Sequence, residues 1–230
     1  MKTIGLIGGM SWESTTSYYQ ALNQGIKNEL GGLHSAKIAL YSVDFAEIER
    51  LQHRGEWDKT AEILCAAAQA VEAAGADFIL ICTNTMHKVA TKIAHSVSIP
   101  LLHIADATAL KLKEDGISKV GLLGTKFTME QDFYKGRLRD QFAIDVVTPN
   151  KEDRETIHRI IYQELCVGKI NESSRQAYVE IIEKLYRQGA QAVILGCTEI
   201  ALLVGNNDTD VPLYDTTVIH AQKAIEQALI

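Results

Sequence analysis

The sequence predicts an α/β protein built from two pseudo-symmetric lobes, each a mainly parallel sheet flanked by helices. Two observations predict the lobes. Short apolar runs alternate with longer helical stretches, which is the pattern of βαβ units. The same series of motifs returns in the second half of the chain, as expected of a duplicated unit. Because such sheets bind ligands beyond the carboxyl ends of their strands, we expect an active site in the cleft between the lobes.

In the first half, each of three apolar runs precedes a helical stretch. The runs TIGLIGG, KIALYSVDF and DFILICTNT have the length and aliphatic content of buried strands. The helical stretches that follow them cover residues 12–30, 60–74 and 87–96. Strands joined through helices in this way predict parallel pairing.

The second half repeats three of these motifs in the same order. KVGLLGT resembles TIGLIGG at an offset of 116 residues, and Gly189 follows Gly75 by 114 residues at the lead-in to a later strand. The tripeptide VPL at 211–213 follows IPL at 99–101 by 112 residues. We therefore expect an N-terminal lobe over 1–115 and a C-terminal lobe over 116–230. The terminal helix, at about 219–230, could pack on the first lobe.

Composition and charge exclude several classes of function. The chain has 230 residues, of which 47% are hydrophobic, which is enough for a substantial core. It has 23 basic and 29 acidic residues and a net charge of −6, with no basic run, so nucleic acid and anionic membrane are not expected partners. No segment has the apolar length of a signal peptide or a membrane span, which predicts a cytoplasmic protein. In that compartment the four cysteines are expected to be free thiols.

Polar residues follow the predicted strands and should surround the cleft. These segments are Gly9-Met10-Ser11, Thr83-Asn84-Thr85, Gly124-Thr125 and Cys197-Thr198-Glu199. The glycines of GLIGGM allow two interpretations, a site where backbone amides bind a carboxylate or a tight turn from strand to helix.

Cys197 is the strongest candidate for chemistry. A cysteine between a strand and a helix faces oriented N–H groups and the positive end of the helix dipole, which favour thiolate. The alternative is a small buried hydrophobic side chain, as in most free cysteines. The polar neighbours in Gly-Cys-Thr-Glu favour the functional interpretation. His87 could be an acid/base group or could only cap or orient a neighbour.

Two other kinds of site have little support. The pairs Cys82 with His87 and His95 with His103 lack a second pair of ligands, so no metal site is expected. A Ser-His-Asp hydrolase is not expected either, because the chain has no GxSxG motif.

Four segments together resemble one family. GGMSWEST, TNTMH, LLGTKFT and GCTEI, in this order and at these spacings, are similar to the aspartate/glutamate racemases that work without pyridoxal phosphate. The resemblance covers essentially the whole chain. It implies an amino-acid racemase for L-aspartate and L-glutamate, or a wider set of amino acids, with no cofactor. It also implies one catalytic thiol from each lobe, on opposite faces of the substrate α-carbon. A small-molecule amino-acid substrate is the expected partner, and the chain is expected to be a monomer or a homodimer.

The chain departs from that family pattern in its first lobe. Such racemases read Cys-Asn-Thr, whereas here Thr83 precedes Asn84 and the cysteine is one position earlier, at Cys82. Side chains alternate across a strand, so Cys82 should face away from the cleft unless a bulge restores it. We therefore predict Thr83 and Cys197 as the catalytic pair. By analogy with the family, Cys197 is the base for L substrates and Thr83 is the proton donor that completes the D product.

The remaining site residues are predicted from their positions. Asn84, Thr85 and Thr198 could hold the substrate carboxylate and stabilise the charge that develops on deprotonation. Glu199 could receive the substrate ammonium or cap a helix. Thr125 should lie in the cleft, with Met10 and Gln52 in loops at its lip. The family often has a basic residue near ELCVG, and only Lys169 is available here, which leaves the side-chain preference open.

The sequence is also compatible with two alternative functions. One is a related thiol-dependent decarboxylase or cis–trans isomerase of small dicarboxylates, which would need only one cysteine in the cleft. The other is a non-catalytic protein that binds an amino acid. Carbon dioxide or a geometric isomer as the product would identify the decarboxylase or the isomerase. Ligand binding without exchange of the α-proton would identify the binding protein.

Overall fold

The computed structural model describes all of Met1–Ile230, and its chain forms two compact units. The first unit comprises Met1–Ile104 together with His220–Ile230, and the second comprises Ala105–Ile219. None of the helices has both the length and the apolar character needed to cross a membrane.

The first unit contains three strands and four α-helices before the chain leaves it. The elements are β1 (Ile4–Gly8), α1 (Trp12–Leu30), β2 (Ile38–Ser42), α2 (Phe45–His53), α3 (Trp57–Ala73), β3 (Phe78–Ile81), a 3₁₀ turn at Thr85–Val89 and α4 (Ala90–His95). Helix α2, which begins directly after Asp44, is not among the helices predicted from the sequence. The Asp44 side chain caps it by accepting a hydrogen bond from the amide of Ala46 at 3.1 Å.

The second half of the chain repeats this order of elements. Its elements are α5 (Ile104–Glu114), β4 (Lys119–Gly124), α6 (Lys126–Glu130), α7 (Asp132–Phe142), β5 (Asp145–Val147), α8 (Lys151–Gln163), a 3₁₀ turn at Leu165–Val167, α9 (Glu172–Arg187), β6 (Ala192–Gly196), α10 (Ile200–Leu203), β7 (Leu213–Asp215) and α11 (Thr216–Leu229).

Both sheets are parallel and have the same strand order. In the first sheet β1 lies between β2 and β3, and in the second β4 lies between β5 and β6, with β7 outside β6. A single bridge between Ile79 and Leu101 stands where β7 stands in the second sheet. Helices flank each sheet, which confirms the predicted fold class.

The register of the strands shows that the two sheets are copies. Ile4 pairs with Phe78 in the first sheet, and Val120 pairs with Ala192 in the second. Val120 follows Ile4 by 116 positions and Ala192 follows Phe78 by 114, which are the offsets read from the sequence. Backbone hydrogen bonds to the next segment match as well, since Ile79 donates to Pro100 and Val193 donates to Pro212, both at 2.9 Å.

The division between the compact units falls before the expected break near residue 115. Helix α5 belongs to the second unit because its polar side chains bond there. Asp106 forms a two-pronged ion pair with Arg137, and Thr108 accepts a hydrogen bond from Tyr134 at 3.4 Å. The expected boundary places this helix in the first lobe, because these partners are remote in sequence.

The last helix returns to the first unit. Along α11, the small side chains Ala221, Ala224 and Ala228 and the larger Ile225 pack in one cluster with Tyr18, Leu22 and Ile26 of α1. The strand residues Phe78 and Leu80 belong to the same cluster, whereas Ile79 and Ile81 face a second cluster beneath α2, α3 and α4. This alternation gives β3 two distinct faces.

Candidate active site

Thr83 and Cys197 occupy equivalent positions in the two copies. Cys197 follows Thr83 by 114 positions, the same interval that separates the paired strand residues Phe78 and Ala192. Thr83 comes just after β3, which pairs with β1, and Cys197 comes just after β6, which pairs with β4. The duplicated framework therefore aligns a hydroxyl with a thiol, and it aligns Cys82 with Gly196.

Cys82 faces away from the loop that contains Thr83. Its side chain has no exposed surface and lies in the cluster formed by Phe78, Leu80 and the helices α1 and α11. Burial raises the pKa of this thiol, because a thiolate would lose its solvation there. The burial that the register argument predicted is thus observed, and Cys82 stays a neutral thiol at physiological pH.

Thr83 begins the irregular segment that follows the ladder of β3. The last ladder bond runs from the Cys82 amide to the carbonyl oxygen of Ile7, at 2.9 Å. Thr83 itself is half-buried, and the next two side chains, Asn84 and Thr85, are buried. A polar segment is therefore held at the carboxyl end of the strand, as predicted.

His87 is bonded to the backbone through both ring nitrogens. Nδ1 lies 2.8 Å from the carbonyl oxygen of Thr83, and Nε2 lies 3.2 Å from the amide nitrogen of Ile104. A carbonyl can only accept and an amide can only donate, so Nδ1 carries the proton and the ring is neutral. Of the two roles considered for His87, this geometry supports orienting a neighbour, since neither nitrogen is left to exchange a proton.

The glycine loop after β1 is a tight turn. Gly9 has a φ of 91°, and a Cβ there would come within 2.2 Å of the carbonyl oxygen of Val43. Its amide donates to the hydroxyl of Thr15 at 2.8 Å, so it is already satisfied within the protein. Ser11 caps α1, and Met10 is buried beside it. These contacts favour the structural interpretation of this loop.

Gln52 was expected in a loop but is part of a helix. It lies near the end of α2, is buried, and has its Nε2 atom 3.7 Å from the sulfur of Met86. The expectation was wrong because α2 had not been identified. In the second unit, Thr125 follows β4 and caps α6, with its hydroxyl accepting from the Thr128 amide at 3.4 Å.

Cys197 is hydrogen-bonded to a carboxylate. Its thiol donates to Glu199 Oε2 at 3.0 Å, and the Thr198 hydroxyl donates to the same oxygen at 2.7 Å. Burial first, and the Glu199 charge second, raise the pKa of this thiol well above its ordinary value. The predicted preference for thiolate is therefore wrong for this arrangement. The following helix, α10, has only four residues, so its dipole is short.

The segment that contains the ELCVG motif approaches Cys197 through Cys166. Lys169 is exposed on the surface of the loop after the Leu165–Val167 turn. Cys166 packs against the hydrophobic cluster that includes Cys197, and its proximity adds to the elevation of the Cys197 pKa. The ELCVG motif indicates this segment, but only the fold shows that the side chain close to Cys197 is that of Cys166.

Comparisons with known proteins identify the family of the chain. The sequence profile of the Asp/Glu/Hydantoin racemase family matches residues 7–224. The chain is 23% identical over 242 residues to the broad specificity amino-acid racemase RacX of Bacillus subtilis (strain 168), covering 98% of each chain. Among solved structures, it is similar to a candidate Asp/Glu racemase from Yersinia pestis, with 58% identity, a TM-score of 0.94 and 100% coverage of both chains.

A more distant relative has the same fold along its whole length. An aspartate racemase homologue from Pyrococcus horikoshii OT3 is 37% identical, with a TM-score of 0.86 and 100% coverage of both chains. The family profile covers most of the sequence. The two solved structures align with this chain over its whole length. The chain therefore belongs to the Asp/Glu/Hydantoin racemase family, and it is an isomerase of the racemase type.

Proposed function

We propose that this enzyme racemises L-aspartate and L-glutamate by proton transfer at the α-carbon, without a cofactor. Cys197 removes the α-proton of the L-enantiomer, and Thr83 delivers a proton to the opposite face. The observation that carries this proposal is the equivalence of the two residues in the duplicated sheets. Inversion of a stereocentre needs one group on each face, and a duplicated fold supplies two groups in matching positions.

Deprotonation of an amino acid needs stabilisation of the developing charge. When Cys197 takes the α-proton, electrons move into the carboxylate, which gains the character of an enolate. In this proposal Asn84, Thr85 and Thr198 donate hydrogen bonds to it, since preorganised donors act most strongly in a site shielded from water. Glu199 receives the substrate ammonium and accepts a hydrogen bond from Thr198, and it accepts one from Cys197 only while that thiol is protonated.

Thr83 acts chiefly as an acid. A hydroxyl can give its proton to a strongly basic carbanion, but an alkoxide is a costly species with which to start the reverse reaction. The two enantiomers have equal free energy in water, so kcat/KM must be the same in both directions. The asymmetry between thiol and hydroxyl therefore changes kcat and KM together.

Proton NMR in deuterium oxide tests the proposed function. Each L-amino acid is incubated with the enzyme, and chiral chromatography follows the D-enantiomer. We expect L-aspartate and L-glutamate to lose their α-proton signals while their D-enantiomers accumulate with deuterium at the α-carbon. Saturable binding without exchange would identify a binding protein, and release of carbon dioxide would identify a decarboxylase. Either result would reject the proposal.

The pH dependence of catalysis should report the bond between Glu199 and Cys197. A thiol must lose its proton before it can accept another, so kcat/KM for L-aspartate rises with pH below the Cys197 pKa. The Glu199 charge helps to raise that pKa. Glu199→Gln should therefore lower the pKa of Cys197 and move the rising limb to lower pH.

Thr198→Val is the matched control for that measurement. It removes a hydrogen bond to the same Glu199 oxygen without removing a charge. The rising limb should then stay near its wild-type position. If Glu199→Gln left the limb in place or moved it to higher pH, the carboxylate would not contribute to the elevation of the Cys197 pKa.

A further inference from the structure

Two buried side chains hold the carbonyl groups on either side of the Thr83 α-carbon. The Ser14 hydroxyl donates to the carbonyl oxygen of Cys82 at 2.8 Å, and His87 Nδ1–H donates to that of Thr83 at 2.8 Å. Ser14 is 2% exposed and His87 is 3% exposed. Both peptide planes that flank Thr83 are therefore fixed by side chains remote from the β3 ladder.

These bonds matter because the strand has ended at this point. The sheet fixes the amide of Cys82 through its bond to Ile7, but Thr83 has left the ladder. The direction of the Thr83 side chain then depends on how the two adjacent peptides are oriented. Proton transfer to carbon needs a donor aligned with the reacting orbital, and a displacement of about 1 Å costs on the order of 100-fold in rate.

The imidazole is itself held firmly. Its Nε2 accepts a hydrogen bond from the amide of Ile104, the residue at which the segment Met1–Ile104 of the first unit ends. Its ring centroid lies 4.5 Å from that of His103 and 6.0 Å from that of His220. His220 in turn bonds to the carbonyl oxygen of Leu102 at 2.9 Å and to the Tyr18 hydroxyl at 2.8 Å. The donor to Thr83 thus has little freedom to move.

We propose that Ser14 and His87 are positioning residues that hold the Thr83 hydroxyl in the direction needed to protonate the substrate carbanion. This inference rests on the proposed function, in which Thr83 is the donor. It predicts that loss of either bond impairs delivery of the proton while leaving its removal by Cys197 nearly unchanged.

Two substitutions at His87 separate its two hydrogen bonds. The amide nitrogen of Asn can take the place of Nδ1, so His87→Asn keeps a donor for the Thr83 carbonyl and loses the acceptor for Ile104. The amide oxygen of Gln can take the place of Nε2, so His87→Gln keeps that acceptor and loses the donor. Each variant loses one buried hydrogen bond, and a merely structural role would make their kinetic effects similar.

The two half-reactions can be measured with two substrates. Racemisation of L-aspartate needs both Cys197 and Thr83. With 3-chloro-L-aspartate, the carbanion formed by Cys197 expels chloride as the α,β double bond forms. The resulting enamine then hydrolyses to oxaloacetate and ammonium. This elimination needs no proton from Thr83, so the ratio of racemisation to elimination measures proton delivery alone.

We expect His87→Gln to lower this ratio by roughly 10- to 100-fold and His87→Asn to keep it near the wild-type value. Ser14→Ala should lower it as His87→Gln does. Ser17→Ala is the control, because Ser17 also bonds a backbone carbonyl, that of Glu13 at 3.2 Å, but in the same helix and away from Thr83. Equal ratios in His87→Gln and His87→Asn, or an unchanged ratio in Ser14→Ala, would overturn the inference.

A spectroscopic measurement tests the inference even if a variant does not fold. The nitrogen-15 shifts of the wild-type enzyme should show His87 with its proton on Nδ1 at neutral pH, the tautomer that the Thr83 bond requires. A cationic ring or a proton on Nε2 would overturn the assignment. If the wild-type enzyme neither racemises L-aspartate nor eliminates chloride, the proposed function fails and the inference with it. If both reactions occur, the variants test His87 and Ser14 alone.

Discussion

Replacing Cys197 by Ala should reduce racemisation of L-aspartate and L-glutamate by about 1,000-fold or more. A positioned acid/base group contributes roughly 10²- to 10⁴-fold, and the proposed mechanism has no second base on that face of the substrate. The same variant should lose elimination from 3-chloro-L-aspartate, since both reactions begin with removal of the α-proton. Chiral chromatography and chloride release measure the two losses.

Cys82→Ala is the matched control for that experiment. It makes the same chemical change at a thiol that has no exposed surface and faces α1 and α11. We expect nearly unchanged kinetics and a loss of about 1 kcal/mol in the free energy of unfolding, measured with urea, because a small cavity replaces the sulfur. Near-wild-type activity in Cys197→Ala would remove Cys197 from the mechanism, and inactivity of a folded Cys82→Ala variant would place Cys82 in it.

Replacing Thr83 by Ala should separate the two half-reactions. Racemisation is expected to fall by roughly 10²- to 10³-fold, because no donor remains on the second face. Elimination from 3-chloro-L-aspartate should continue near the wild-type rate, since Cys197 alone starts it. Equal losses in both reactions would show that Thr83 supports the site without donating the proton.

Thr83→Cys should restore the pair of thiols found in the family pattern. A thiol has a pKa much closer to the working pH than a hydroxyl, and it serves better as a base for the D-enantiomer. We therefore expect kcat for D-aspartate to rise more than kcat for L-aspartate. Because the equilibrium constant of a racemisation is unity, KM for D-aspartate must then rise relative to KM for L-aspartate in the same proportion. If kcat rises equally for both enantiomers, the asymmetry does not come from residue 83.

The sequence by itself determined the α/β class, the duplication and the candidate pair. Aliphatic runs such as TIGLIGG and KVGLLGT predict strands from a few neighbouring residues. The strand register then reproduces the offsets of 116 and 114 residues. The position of Cys82 was also predictable, because the alternation of side chains along a strand is a local property.

Only the tertiary structure decided the chemical state of the site. The Cys197 pKa depends on burial and on the position of a carboxylate, so the proximity of Cys197 to a helix gave the wrong sign. His87 carries its proton on Nδ1 because of Ile104, seventeen positions away in the chain. Helix α5 belongs to the second unit through Arg137 and Tyr134. Local patterns specify which element forms, whereas protonation and packing depend on partners that are brought together only when the chain folds.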